Sequence, residues 1–140
     1  MPELETEAQI IDTLKRAKTI AVLGAHHVPS RPAFYVPEYL HHQGYKILPV
    51  NPTLVGRTLF GEPVRATLAE LREPVDIVDV FRLAELLPGH LPDILAMSPR
   101  PRVVWLQLGI RNDAFAKAIV EAGIDVVQDR CTLADHRRFF

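Results

Sequence analysis

The sequence predicts a doubly wound, Rossmann-like α/β fold built on one parallel sheet. Two observations predict it. Apolar runs such as Thr19-Ile-Ala-Val-Leu-Gly24 and Asp76-Ile-Val-Asp-Val-Phe81 are nearly continuous rather than alternating, as expected of strands covered on both faces. Segments with helical spacing of apolar residues lie between them, which makes the connections right-handed crossovers and the strands parallel. Proline is in excess, 12 of 140 residues against an average near 5%, and so points to many fixed turns.

Each element has its own signal. Glu5 to Ala17 places Ile10, Ile11, Leu14 and Ala17 at helical spacing and reads as an amphipathic helix packed on the domain. Thr19 to Gly24 is the first strand, and Phe34 to Gln43 the helix after it, closed by Gly44. Pro37 inside that helix should kink it. Lys46-Ile-Leu-Pro-Val50 is the second strand, ended by the turn signal Asn51-Pro52. A short helix is expected at Thr67 to Leu71, with Thr67 and Glu70 at the capping-box positions. Asp76 to Phe81 is the third strand. Leu83 to Met97 reads as helical, broken or kinked by Pro88, Gly89 and Pro92. Arg102 to Leu108 is the fourth strand, Asn112 caps a helix running to Ala122, and Asp125 to Gln128 is the fifth.

Composition narrows the function classes. With 140 residues, 48% hydrophobic and 24% charged, the chain fits a single globular domain spanning residues 1–140. Sixteen basic residues against 17 acidic ones leave a formal charge of −1, without the basic excess that a nucleic-acid backbone requires. No apolar run is long enough to cross a membrane, and the first 18 residues lack the apolar core of a signal peptide, so a cytoplasmic location is expected. The single cysteine, Cys131, excludes an internal disulfide and multi-cysteine zinc patterns.

In folds of this class ligands bind at the carboxyl ends of the strands, near the point where the strand order reverses. The loop Gly24-Ala-His-His-Val-Pro-Ser-Arg-Pro32 is therefore the first candidate site. Helix amides there attract a phosphate, Ser30 can cap the helix, Pro32 suits its first turn, and Arg31 adds a forked positive charge. A tight turn at Gly24 with a solvated Arg31 is the plainer reading. His26 and His27 can donate to phosphate or serve as surface groups. The dinucleotide fingerprint G-x-G-x-x-G is missing, and Asn51 stands where a nicotinamide enzyme usually carries an acid, so an NAD(P)-dependent oxidoreductase is the alternative and not the first reading. No Walker A motif is present.

Gly24 to Tyr35, Val50-Asn51-Pro52, Pro74 to Arg82, Val104 to Gly109 and Gln128 to Cys131 together resemble the small stand-alone CoA-binding protein family. That family is similar to the nucleotide-binding domain of the succinyl-CoA synthetase alpha subunit. The resemblance implies coenzyme A or an acyl-CoA as ligand. It implies that Gly24, Ala25, His26 and Arg31, with Pro32, hold the pyrophosphate, and that Asn51 and Pro52 border the adenosine. Val80, Phe81 and Arg82 would line the cleft, with Arg82 on a phosphate or the pantetheine amides, and Leu108 and Gly109 would floor the pantetheine arm. A salt bridge from Arg82 to Glu85, and core packing for Phe81 and Trp105, are the plainer alternatives.

No catalytic residues or metal ligands emerge. The chain has no nucleophile elbow and no H-E-x-x-H, and His41-His42 at a helix end suit the negative end of the dipole. It is too short to supply the phosphorylated histidine and nucleotide-activating parts of a ligase. Cys131, next to Arg130, reads either as inert or as a thiolate able to form a mixed disulfide with the CoA thiol. The expected function is therefore CoA or acyl-CoA binding without chemistry of its own, as a sensor or a partner of acyl-CoA enzymes. The protein partner is left open. Phe139-Phe140 can pack on such a partner or on the chain's own surface.

Overall fold

The computed structural model describes residues 3–140. Its main sheet has five parallel strands: β1 (Thr19–Leu23), β2 (Lys46–Val50), β5 (Ile77–Val80), β6 (Val103–Leu106) and β7 (Asp125–Val127). Their spatial order is β2-β1-β5-β6-β7. The order reverses between β1 and β5, and the carboxyl ends of those two strands frame the crevice where this class of fold takes ligands. The two strands before β5, β3 (Thr58–Leu59) and β4 (Glu62–Pro63), form a small separate antiparallel hairpin that the sequence pattern did not announce.

The strands are buried on both faces because neighbouring residues point to opposite sides. Ile20, Val22, Ile47, Ile77, Trp105 and Val127 meet α1 (Glu7–Arg16), α2 (Pro32–His42) and α5 (Thr132–Phe139). Ala21, Leu23, Val78, Val80, Val104 and Leu106 meet the opposite layer, which contains α3 (Leu91–Leu95) and α4 (Asp113–Glu121). The result is the doubly wound α/β fold expected. Trp105 is fully buried and its Nε1–H donates to the Arg130 carbonyl at 2.8 Å, so it belongs to the core.

Several local expectations change. The capping box lies at α1: Thr6 Oγ1 accepts from Gln9 N–H, and the Gln9 side chain accepts from Thr6 N–H. At Thr67 there is none. The expected helix is a single 3-10 turn, Leu68–Glu70, in which the Thr67 hydroxyl meets Glu70 at 3.4 Å. Leu83 to Met97 divides into a 3-10 segment, Ala84–His90, and α3, as its prolines require. The helix α5 was not expected. Its inner face carries Thr132, Asp135 and His136, polar residues that can be buried because each has a partner: Arg130 binds Asp135 through two bonds of 2.7 and 2.9 Å, and Tyr39 Oη meets His136 Nδ1 at 2.9 Å. Phe139 packs on the core and Phe140 stacks on His136, so this end rests on the chain itself.

Candidate functional site

A cavity of about 570 Å³ opens at the carboxyl ends of β1, β5 and β6, where the strand order reverses. Gly24, His26, Arg31, Pro32, Asn51, Phe81, Arg82 and Leu108 line it, bringing together eight of the residues singled out from the sequence. The other four stand behind or beside it. Ala25 and Val80 are fully buried, Val80 because the pleat of β5 turns it into the α3/α4 layer. Pro52 starts a 3-10 turn, and Gly109 fixes a loop, its N–H donating to Asp129 Oδ1 at 2.6 Å.

The first loop is held from three sides. Gly24 and Ala25 donate their N–H groups to the Val50 carbonyl at 2.9 and 3.3 Å, and Asn51 Nδ2 donates to the Ala25 carbonyl at 2.8 Å. Asn51 thus fastens the β1–α2 loop to the end of β2. The third tie explains Pro37. In an uninterrupted helix the N–H of residue 37 would bond the Ala33 carbonyl; proline has no N–H, and that carbonyl accepts from His26 N–H at 3.2 Å. Through Pro37, α2 runs unbroken and supplies an acceptor to the loop in front of it. The residue that by local rules disrupts the helix serves to position the site.

Ser30 does not cap α2. The N-cap is Arg31, and no side chain caps the helix. Pro32 has no N–H and the Phe34 N–H donates to the Arg31 carbonyl at 2.9 Å, which leaves the Ala33 N–H as the first-turn donor open to an anion at the cavity wall. His26 Nδ1 accepts from Val28 N–H at 3.0 Å. Burial, then the charges of Arg31 and His27, lower its pKa, so at neutral pH it is an uncharged ring with Nε2–H as its donor. Arg82 does not pair with Glu85. Its Nε donates to His90 Nε2 at 3.3 Å, and burial together with Arg82 lowers the His90 pKa. Neither Arg31 nor Arg82 enters any ion pair among the described residues, so both guanidinium charges face the cavity unneutralised.

The rim is apolar. Tyr35, Leu83, Leu86 and Leu108 are 45%, 64%, 41% and 70% exposed, and all four line this cavity. Large apolar side chains gathered around one opening are a feature shared by ligand-binding grooves and protein–protein contact surfaces. Cys131, half-buried, also lines it at the N-cap of α5. The neighbouring Arg130 is occupied by Asp135 and offers the thiol no free charge.

The sequence reading passed over Gln107 and Asp79. Gln107 lines the cavity, and Asp79 is fully buried beneath it, with Gln107 Nε2 donating to Asp79 Oδ1 at 2.6 Å. Their signal was available: each is the one polar residue inside an otherwise apolar strand run, and a polar group placed there must find partners.

Known proteins are similar to this chain in sequence and in fold. The chain is 35% identical over 131 residues to the uncharacterised protein YneT of Bacillus subtilis, covering 94% of each chain. A solved Thermus thermophilus structure is 55% identical with a TM-score of 0.92, over 97% of this chain and 100% of that one. A hypothetical protein from Pyrococcus horikoshii is 30% identical with a TM-score of 0.87, over 96% and 92%. The family profile described as the CoA binding domain matches residues 18–137, from the start of β1 into α5, and so takes in every strand end around the cavity. The chain therefore belongs to the CoA-binding domain family.

Proposed function

We propose that this protein binds coenzyme A or an acyl-CoA in the cavity at the carboxyl ends of β1, β5 and β6, and performs no chemistry of its own. The observation that carries the reading is the pairing of two kinds of surface in one cavity: an uncapped helix start with two unneutralised arginines, beside an apolar rim. CoA has the same two parts, a phosphate-rich nucleotide and a long uncharged arm in which apolar stretches alternate with amides. Arg31 and the Ala33 N–H at the start of α2 take the pyrophosphate, His26 donates through Nε2, and Arg82 reaches a phosphate or the first part of the arm. The adenosine lies toward Asn51 and Pro52. Binding without turnover is compatible with a role as a sensor or a partner of acyl-CoA enzymes.

Thermal unfolding with CoA, acetyl-CoA, NAD and NADP tests the ligand class. Ligand at 100 times its Kd stabilises by about 2.7 kcal/mol, a rise in Tm of roughly 6–11 °C for a chain of this size. CoA and acetyl-CoA should produce it. A response to NADP with none to CoA would overturn the reading.

Arg31→Ala should weaken CoA binding by about 1.5–3 kcal/mol, roughly 10- to 150-fold, as expected for loss of a charge-assisted contact. Calorimetric titration measures it, and unchanged affinity would remove Arg31 from the phosphate site.

A further inference from the structure

We propose that Gln107 reads the pantetheine arm of the ligand: its side-chain carbonyl oxygen accepts a hydrogen bond from an amide N–H or the hydroxyl of that arm, while Asp79 and Thr132 hold the amide in place. The proposal rests on the CoA reading of the cavity and extends it to a residue on the far side from the phosphate loop.

Gln107 directly follows β6 and is only 5% exposed, yet it borders the cavity. Its Nε2 donates to Asp79 Oδ1 at 2.6 Å and to Thr132 Oγ1 at 2.8 Å, and the Thr132 hydroxyl donates to Asp79 Oδ2 at 3.0 Å. Both amide hydrogens are thereby committed. The carbonyl oxygen accepts from no described residue, and among the described residues no fully buried side-chain polar atom lacks a partner, so this oxygen meets the open space of the cavity. Three interlocked polar groups from β5, the end of β6 and α5 are a costly way to fill a core, since apolar side chains of the same shape would avoid desolvating a carboxyl group. What the network adds is orientation. The amide cannot turn over without breaking two bonds, so an acceptor and not a donor faces the ligand.

Position selects which part of the ligand it meets. The phosphate loop follows β1, and β6 lies two strands away, about 10 Å at the usual strand spacing. Asn51, proposed for the adenosine, lies on the opposite side, after β2. A ligand anchored by its pyrophosphate at β1 therefore sends its arm over β5 to Gln107. A buried acceptor discriminates against any ligand with no donor at that point, because the acceptor is then left unpaired.

The test is titration calorimetry of the full chain with two probes: CoA, and adenosine 3′,5′-bisphosphate, which has the nucleotide end but no arm. Gln107→Met should weaken CoA about 10-fold and leave the bisphosphate unchanged. Thr132→Val should show the same arm-selective loss, and Thr132→Ser, which keeps the hydroxyl, should restore wild-type affinity. If Gln107→Met does not fold, the two Thr132 variants decide by the same criterion. Unchanged CoA affinity, or equal weakening of both probes, would overturn the role of Gln107 while leaving CoA as ligand. A wild-type chain that takes up neither probe would overturn the CoA reading and this proposal with it.

Discussion

Gly24→Ala is expected to destabilise the protein by about 2–5 kcal/mol and to disable the proposed phosphate loop. Gly24 has φ +87°, where an L side chain costs roughly 1–2 kcal/mol. Space is the second obstacle. A Cβ there would stand 2.7 Å from the Phe81 carbonyl oxygen and 3.1 Å from Arg82 Cδ. The first of these is backbone at the end of the neighbouring strand and cannot swing aside, which adds the cost of overpacking, about 1–3 kcal/mol. Relief requires β1 and the β5 end to separate, and that displaces Phe81 and Arg82 from the cavity wall. Gly44→Ala supplies the control. Gly44 has φ +102° but nothing within 4 Å of an added Cβ, so it should carry the conformational cost alone and bind CoA normally. Urea unfolding and CoA titration of both variants check this, and equal losses in the two would refute the close-approach argument.

The second large effect is a dependence of stability on pH that originates at Asp79. Burial raises its pKa to about 7 from 3.8, against the opposing hydrogen bonds of Gln107 and Thr132. The folded chain therefore holds this proton across a range in which the unfolded chain has lost it. Between about pH 4 and pH 7 the native state binds more protons than the unfolded state, so stability falls as pH rises. The penalty is absent below the unfolded pKa and complete above about pH 7, where it amounts to something on the order of 4 kcal/mol. Asp79→Asn keeps the shape and an acceptor for Gln107 but has no proton to lose. Relative to that variant, the wild-type chain should lose roughly 3 kcal/mol between pH 5 and pH 8, as measured by urea unfolding at each pH. Parallel curves for the two proteins would show that Asp79 does not titrate in this range.

Both effects come from the crossing of β1, β5 and β6, and this is where sequence and structure divide. The five main strands were legible because buried parallel strands leave continuous apolar runs, and the site followed from the strand ends because that is where such sheets leave a crevice. The hairpin of β3 and β4 was not legible, since two residues per strand carry no period. Nor was α5. Its buried face is Thr132, Asp135 and His136, and polar residues become core only when Arg130 and Tyr39 are placed against them.

Within the site the division falls on single residues. Gly24 and Arg31 were proposed from residue type in the first loop, because a phosphate needs a close backbone and fixed positive charge, whereas Arg82 was proposed from its place at the end of the third strand and from the family resemblance. Whether Val80 or Phe81 faces the cavity could not be read, since both are apolar and only the pleat of β5 decides which one turns inward. Pro37 shows the limit most clearly. The sequence determined that one helix carbonyl would lose its intrahelical donor, because proline has no N–H. Only the tertiary structure decided what that carbonyl would do, by folding the His26 N–H back against it at 3.2 Å.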